Sequence, residues 1–562
     1  MKGFFVPIRR FIIIVAIAAC VTVLGVSMAW AESSAGLTVK ILAVNDFHGQ
    51  LSPKSGENGE QVGGAAYLAG YLRKAQAGKE DLTIIVDAGD HVGASPANSG
   101  LLMDEPSIMF LNTLANAYCL TDRMDPRCNI VAILGNHEFD KGIGELKRKI
   151  DGGNYDNQSR WSRIRAPYLE NPYSGAHYPI VSANVIVKST GKTLVAPYVI
   201  KTVRNVPIAF IGAVLKGTPD IVMPSAVDGL RFEDEAAAIN SQVHEIKEKG
   251  VHAILAVIHQ GDQNGKDKTM EDIVKKLDPA IAVVISAHTH KGYAKMVKNS
   301  AGKEVLVTQA WSYSAAYADI NLEIDQNTKE IKAKWANIAT VNSGIAPDPA
   351  VQGIVERADK MVAPVVNEVE GEAGTNIIAK QNNAGESALG DLIADAQRIQ
   401  EDTLFAFVNP GGIRNDLKAG PVTWGRLFDT QPFGNEMVTM LMTGQQIYDV
   451  LAEQWSDAAH PKMLQVSGLT YQWRSNGAGR PGSIIDGSVK TADGQVIDRA
   501  ASYKVATNDF LAEGGDRFST FKAGKNQVVG KQAVDDLAAY VKTLPNPFRA
   551  PADTGKRVTL AQ

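Results

Sequence analysis

Five apolar runs, each rich in β-branched residues and each stopping abruptly at a polar cluster, constrain this chain more than any other feature. Val39 to Val44 runs into Asn45-Asp46-Phe47-His48, Leu82 to Val86 into Asp87-Ala88-Gly89-Asp90, and Ile130 to Leu134 into Gly135-Asn136-His137-Glu138. Further on, Ala253 to Ile258 runs into His259-Gln260-Gly261-Asp262, and Ile281 to Ile285 into Ser286-Ala287-His288-Thr289-His290. Short runs without polar alternation are strands buried on both faces, so these are strands with polar C-terminal ends. Helical stretches lie between them, such as Ala65 to Gln76 and Glu233 to Lys249, the latter with a charged face and a stop at Gly250. The pattern predicts a layered α/β domain with helices covering central sheets.

A chain of 562 residues holds more than one such unit, since domains average about 100–200 residues. Ala346-Pro347-Asp348-Pro349 marks a boundary, after which Ala350 to Val362 is amphipathic and Pro364 closes it. This predicts a helix joining two bodies. The second body, from about 368 to 562, has polar turns of its own at Val408-Asn409-Pro410-Gly411-Gly412, Gln431-Pro432-Phe433-Gly434-Asn435 and Asn508-Asp509-Phe510. It also has helical candidates at Glu386 to Gln400 and Gly444 to Trp455. The expected organisation is a leader over 1–31, a first domain over 32–346, a linker helix over 347–367 and a second domain over 368–562.

Composition narrows the class. Hydrophobic residues make up 45% and charged residues 21%, which excludes collagen, coiled coil and wholesale disorder. Lys plus Arg number 57 against 61 Asp plus Glu, and no basic tract tracks a polyanion, so nucleic acid is not an expected partner while a small phosphorylated ligand is compatible.

At the N-terminus, Lys2, Arg9 and Arg10 precede an apolar stretch from Phe11 to Met28, and Ala29-Trp30-Ala31 offers a small-x-small cleavage site before Glu32. This reads as an export signal, and the cleavage site argues against the rival reading of a membrane anchor. Ile17-Ala18-Ala19-Cys20 resembles a lipoprotein box, but cutting there would leave Val21-Thr22-Val23-Leu24 exposed at the start of the mature chain. No later segment supplies the ~20 apolar residues of a membrane span. The expectation is an exported protein, periplasmic or extracellular. Cys119 and Cys128 bracket a polar loop and in an oxidising compartment either bridge or stay as two buried thiols; spacing alone leaves both open.

Ligands of open α/β sheets bind outside the carboxyl ends of strands, so five polar strand ends would converge on one crevice. Taken singly, each has an ordinary explanation: Asp caps a following helix, Asn-His makes a turn, a lone His is solvated. Taken together, Asp46, His48, Asp90, Asn136, His259, His288 and His290 form a mixed oxygen and imidazole set large enough for two cations sharing one carboxylate. Without thiolates, such donors suit zinc, manganese or iron better than copper(I).

The blocks Asp46-Phe47-His48, Gly89-Asp90, Gly135-Asn136-His137-Glu138-Phe139-Asp140, His259 and Ala287-His288-Thr289-His290 resemble, in order, the five motifs of the calcineurin-like metallophosphoesterases. In the second body, Asn409-Pro410-Gly411-Gly412-Ile413-Arg414, Pro432-Phe433-Gly434-Asn435 and Asn508-Asp509-Phe510-Leu511-Ala512-Glu513-Gly514-Gly515-Asp516 resemble the C-terminal domain of secreted 5′-nucleotidases. The resemblance runs from about residue 37 to 545. It implies an α/β fold made of a four-layer metallophosphoesterase β-sandwich flanked by helices, plus a smaller α/β nucleotide-binding domain. It also implies two divalent metal ions, zinc or manganese: Asp46, His48, Asp90 and His290 on one, Asp90, Asn136, His259 and His288 on the other. His137 would stand by the leaving oxygen, oriented by Asp140. Phe433 and Phe510 would clamp the base, Asn435 its edge and Asp516 the ribose hydroxyls, with Asn409 and Arg414 on the ribose and phosphate side.

The physical logic of such a site stands apart from the resemblance. Phosphate ester oxygens repel a nucleophile; two cations about 3.5 to 4 Å apart neutralise that charge and deprotonate a water, whose metal-bound hydroxide attacks in line. A positioned imidazole then serves the leaving oxygen. Together with the resemblance, this implies removal of phosphate from nucleoside 5′-monophosphates as the expected function, with domain rotation opening and closing the cleft. Alternatives are a 2′,3′-cyclic-nucleotide 2′-phosphodiesterase with 3′-nucleotidase activity, a UDP-sugar or dinucleotide pyrophosphatase and, in another class, a nucleotide-binding or adhesive protein with a dead site.

Three positions depart from the pattern. His290 stands where some nucleotidases carry Gln or Asn. Lys380-Gln381-Asn382-Asn383 stands where related nucleotidases carry arginines, so that only Lys380 offers a point charge there. His91, directly after Asp90, either supports the donors from behind or faces solvent. The sequence leaves the native metal and the oligomeric state open.

Overall fold

The computed structural model describes residues 36–55, 60–156, 168–263 and 268–561. The expected leader over 1–31 lies outside the described residues. Among them, no helix is long and apolar enough to cross a membrane.

Two six-stranded sheets build the first body. One runs in the order Ile331–Thr340, Ala316–Ile324, Leu37–Val44, Thr83–Asp87, Ile130–Ile133, Ile180–Val181. The other runs Gly292–Lys298, Glu304–Ala310, Ile281–Ser286, Ala253–His259, Val206–Val214, Tyr198–Val203. Their inner strands pair parallel, as Ile41 with Ile84, Ile85 with Ile130 and Leu255 with Val283 show. Antiparallel strands close the outer edges of both sheets where Ala316–Ile324 meets Ile331–Thr340 and Gly292–Lys298 meets Glu304–Ala310.

The sheets stack face to face. Val39, Ile41, Val86, Val131 and Ile133 of the first share one buried cluster with Ile208, Phe210, Leu255, Val257 and Ile285 of the second. The alternate residues point outward: Leu42, Val44, Ile85 and Ala132 belong to a cluster with helix Ala65–Gln76, while Ile254, Ala256 and Ile258 pack with Ile239, Val243 and Ile246 of helix Glu235–Glu248. Covering on both faces is why these strands are apolar over most of their length, with Lys40 an exception that pairs with Asp319. The result is the four-layer sandwich expected of the first body, and parallel strands bring the polar ends of Leu37–Val44, Thr83–Asp87 and Ile130–Ile133 to one edge.

Helix Pro349–Val366 follows. Asp348 caps it, accepting from the amides of Ala350 and Val351, and also pairs with Arg73. The helix was expected to close at Pro364, yet it runs through to Val366. A proline this near the end forfeits one backbone bond, and the last turn still closes through the Asn367 amide on the Ala363 carbonyl at 3.2 Å. Val351, Val355, Ala358 and Val362 are buried in the same apolar cluster as Leu68 and Leu72 of the first body and Trp424, Leu427 and Phe428 of the second. Gly425 abuts Val366 so closely that a Cβ there would lie 2.7 Å from the Val366 Cβ.

The second body centres on a mixed sheet in the order Gln465–Ser467, Phe405–Val408, Ser502–Asn508, Glu436–Thr443, Lys525–Gln532. Helices Ala388–Gln400 and Ala533–Thr543 pack together, burying Leu389, Ile393, Val534 and Leu537. Ile447, Val450 and Leu451 of helix Gly444–Glu453 pack with Phe405, Phe407 and Met440 of the sheet. Cys119 and Cys128 form a disulfide, with their Cα atoms 4.6 Å apart.

Candidate active site

The polar strand ends are held in unusual backbone. Asp46, His48, Asp90, His288 and His290 all have left-handed φ, at 49°, 48°, 54°, 73° and 57°. Such a conformation costs on the order of 1–3 kcal/mol per residue and persists only where surrounding structure imposes it. Here the amides of Asp46 and His48 bond the carbonyls of Gly89 and Asp90 at 3.0 and 2.8 Å, zipping the first two turns together. Glu138 ties in the third: its carboxylate accepts from the amides of Asp90 and His91, both at 3.0 Å, and from that of Gly135. Gly135 is required there, because a Cβ would meet Asp90 Oδ1 at 2.2 Å. The sequence motif contained Glu138, but its bracing role was not foreseen.

His91 is buried rather than facing solvent. Its Nδ1 lies 3.3 Å from Asp87 Oδ1 and 3.3 Å from Glu138 Oε1. Burial alone would pull the imidazole down, but Glu138 and Asp87 outweigh it and raise its pKa to about 9. An imidazole therefore sits behind the Asp90 turn, held between two carboxylates.

In front of that brace, Asp46, His48 and His290 converge as one candidate metal group, and Asp90, His259 and His288 as another. His48 donates Nδ1 to the Gly93 carbonyl at 3.0 Å, and His259 donates Nδ1 to the Ala88 carbonyl at 2.8 Å. Each ring thereby turns its Nε2 inward. His259 Nε2 lies 3.0 Å from Asp90 Oδ2, His48 Nε2 3.9 Å from the same oxygen, and His290 Nε2 3.5 Å from Asp46 Oδ1. The Nε2 atoms of His48 and His290 stand 3.1 Å apart. Asp90 thus lies within 4 Å of an imidazole of each group, at 3.9 Å from His48 and 3.0 Å from His259.

The donor set fits divalent cations. Asn136 Oδ1 is buried without a hydrogen-bond partner, an arrangement that is unfavourable unless something electropositive meets it. Burial pushes the Asp46 and Asp90 carboxyls up, yet the imidazoles around them win and lower both, Asp46 to about 2. Burial pulls His259 down, and Asp90 more than reverses that, to about 10. The cluster is built to attract positive charge.

The cluster opens on the side of His290 and His137, whose side chains are partly exposed while His48 and His259 are shut in. There, a cavity of about 250 Å³ brings Asn136, His137, Asp140 and His288 into one space with the second body. His137 Nδ1 lies 2.7 Å from Asp140 Oδ2, leaving Nε2 as the other reactive nitrogen. Phe433 stacks on the His137 ring, with centroids 5.9 Å apart and planes 23° apart, and the Arg414 guanidinium lies 5.9 Å from the Phe433 centroid. Arg414 Nη2 reaches the Tyr313 hydroxyl at 3.4 Å, and the residue lines the cavity.

Asn409, Asn435, Phe510 and Asp516 line the same cavity. Asn508 donates Nδ2 to Asn409 Oδ1 at 3.0 Å, and Asn409 donates Nδ2 to Asp516 Oδ2 at 3.3 Å. Gly515 is pressed against the Phe510 ring, where a Cβ would meet Cε2 at 2.4 Å. Every residue expected at the site is thus brought to the donor cluster or this cavity.

The segment 380–383 is not. Lys380 is exposed, Gln381 donates to the Met463 carbonyl at 2.8 Å, and neither lines the cavity, so the expected point charge from Lys380 is absent there. Lys462 supplies one instead, pairing with Asp516. Sequence reasoning missed Lys462, because nothing in Pro461-Lys462-Met463 marks it locally. Tyr313 was missed too; its ring packs 5.2 Å from those of His48 and His290.

Contacts between the bodies flank the cavity. Arg517 grips Asp220 Oδ2 through Nε at 3.0 Å and Nη2 at 2.8 Å, Glu513 accepts from the Ser225 amide at 2.9 Å, and Asp429 accepts from the Ala97 amide at 3.0 Å.

Comparison with known proteins agrees with this geometry. Residues 39–292 match the calcineurin-like phosphoesterase family and residues 365–523 the 5′-nucleotidase, C-terminal domain family. The chain is 35% identical over 523 residues to Endonuclease YhcR of Bacillus subtilis, a match taking in 91% of this chain and 40% of that protein, so it spans about two fifths of that relative's length. It is 32% identical over 549 residues to Cell wall protein Lmo0130 of Listeria monocytogenes, covering 90% of this chain and 67% of that one. Among solved structures, a 5′-nucleotidase precursor from Thermus thermophilus superposes with a TM-score of 0.74 at 26% identity, over 93% of this chain and 99% of the other. The chain belongs to the 5′-nucleotidase family, in which a calcineurin-like phosphoesterase domain precedes a 5′-nucleotidase C-terminal domain.

Proposed function

We propose that the protein is an exported 5′-nucleotidase that removes phosphate from nucleoside 5′-monophosphates with two divalent metal ions, zinc or manganese. The observation that carries this reading is the cavity in which His137, Asn136 and His288 of the donor cluster meet Phe433, Phe510 and Asp516 of the second body. Asp46, His48, Asp90 and His290 would hold one ion and Asp90, Asn136, His259 and His288 the other; bound there, the pair supplies charge neutralisation and an activated water. Arg414 and Asn409 take the phosphate and ribose side, Phe433 and Phe510 hold the base between their faces, Asn435 meets its edge, and Asp516 accepts from the ribose hydroxyls. His137, oriented by Asp140 at 2.7 Å, donates a hydrogen bond to the phosphoryl and leaving oxygens as charge develops on them. The domain boundaries proposed are 32–346, 347–367 and 368–562.

Purified protein supplied with manganese or zinc should release phosphate from 5′-AMP faster than from 3′-AMP, 2′,3′-cyclic AMP or a UDP-sugar. Absence of 5′-AMP hydrolysis overturns the reading. One observation favours a second: a cavity of about 340 Å³ adjoins the first at His288, Lys462 and Asp516, with room for the other half of a nucleotide sugar or dinucleotide. Faster cleavage of the UDP-sugar than of 5′-AMP would select it. Export is supported by the name of the cell wall relative, and is tested by N-terminal sequencing of protein recovered outside the cytoplasm, expected to begin at Glu32.

A further inference from the structure

Lys462 brings an ammonium to the wall of the cavity that His137, His288 and Arg414 also line, and no feature of the donor cluster explains it. It follows helix Gly444–Glu453 in a loop whose backbone is pinned. The Lys462 amide donates to the Gln454 carbonyl at 2.9 Å, the Leu464 amide to Gln454 Oε1 at 2.8 Å, and the Met463 side chain is buried beside Gly385. The ammonium therefore reaches the cavity from a fixed point and meets Asp516 Oδ1, with about a third of the side chain exposed to the cleft.

Asp516 is equally fixed. It has left-handed φ of 57° in the Gly514-Gly515-Asp516 turn, and its other oxygen accepts from Asn409 Nδ2. One protein donor sits on each carboxylate oxygen, so each oxygen keeps one lone pair for a hydroxyl, and the ammonium keeps donors for the oxygens of those same hydroxyls. A carboxylate flanked by an ammonium is thus a joint acceptor and donor facing the cavity, matched to a vicinal diol. Lysine's three rotatable donors suit it to follow two neighbouring hydroxyls, which a planar amide would not.

Resting on the nucleotidase reading, we infer that Lys462 is a specificity-determining residue that, together with Asp516, recognises the 2′,3′-diol of the ribose and sets the preference of this enzyme for ribonucleotides over deoxyribonucleotides. Its role is in positioning the substrate, so it should register in KM and leave the chemical step to the donor cluster.

The test is a cycle between enzyme and substrate. Wild-type protein and Lys462→Met, both loaded with manganese, are assayed for kcat and KM on 5′-AMP, 2′-deoxy-5′-AMP and 2′,3′-dideoxy-5′-AMP, with thermal melts showing that both are folded. The expected result is a loss of about ten-fold in kcat/KM for 5′-AMP, carried by KM, which shrinks to under about two-fold on the dideoxy substrate. An equal loss on all three substrates, a loss carried by kcat, or no loss on 5′-AMP overturns the inference while leaving the nucleotidase reading intact. A wild-type protein that hydrolyses none of the three overturns both.

Discussion

The donor cluster and the second-body wall share one cavity but are made differently. Five of the seven proposed metal donors sit in left-handed backbone at the ends of buried strands, and the donor turns and rings are held by hydrogen bonds to the carbonyls of Gly89, Gly93 and Ala88 and to the Glu138 carboxylate. The wall opposite is made of turns, with Phe433 and Asn435 half-buried, and an ion pair between Lys462 and Asp516. On the proposed reading, strand-end donors on one side and turn-borne contacts on the other separate reaction from selection: the first body does the chemistry and the second chooses the substrate. Substitutions on the two sides should accordingly differ in which kinetic constant they move.

Asp90→Asn strikes where the two metal groups meet and should have the largest effect, lowering kcat by at least about 10³-fold with bound metal reduced, as steady-state kinetics and elemental analysis would measure. Full activity in that variant would break the comparison at its root. Next comes His137→Ala, expected to lower kcat by about 10² to 10⁴-fold with little change in KM. Glu138→Gln touches no substrate; by loosening the Asp90 and Gly135 turns it should weaken metal affinity by about 10 to 100-fold, read by titration of metal into the chelated protein.

Across the cavity, Phe510→Ala should raise KM for 5′-AMP by about 5 to 100-fold, the worth of one stacked base, while p-nitrophenyl phosphate, which has no base, is turned over within about two-fold of wild type. If that ester lost as much, the wall would be shaping the reaction itself. The smallest effect belongs to Arg517→Ala. Its pair with Asp220 is nearly half exposed on both sides, so stability should change by under about 1 kcal/mol in a denaturant melt, with turnover changed by a few-fold at most.

Much of the first body was legible in the sequence, because burial on both faces leaves runs that are mostly apolar and the polar residues that follow gather at the sheet edge. Helix Ala65–Gln76 came out with both ends as expected, and Glu386 to Gln400 was long by two residues because Ser387 caps the helix through the Gly390 amide. Pro364 misled because the cost of proline falls at a helix end, where backbone bonds are already lost. The second-body wall was legible only where resemblance reached it. Lys462 arrives from a loop with no periodicity, and its partner Asp516 is distant in sequence; only folding makes them neighbours. His91 needed tertiary structure for the same reason, since Asp87 and Glu138 decide its burial and charge.

The left-handed turns also bound what re-engineering can achieve. A replacement ligand at position 46, 48, 90, 288 or 290 must both grip a cation and tolerate positive φ, and among metal-binding side chains Asp, Asn and His accept that geometry most readily. Attempts to retune the ion by introducing thiolate or a longer carboxylate would fight the main chain before they altered coordination, so exchanges within that short palette are where altered metal selectivity should be sought.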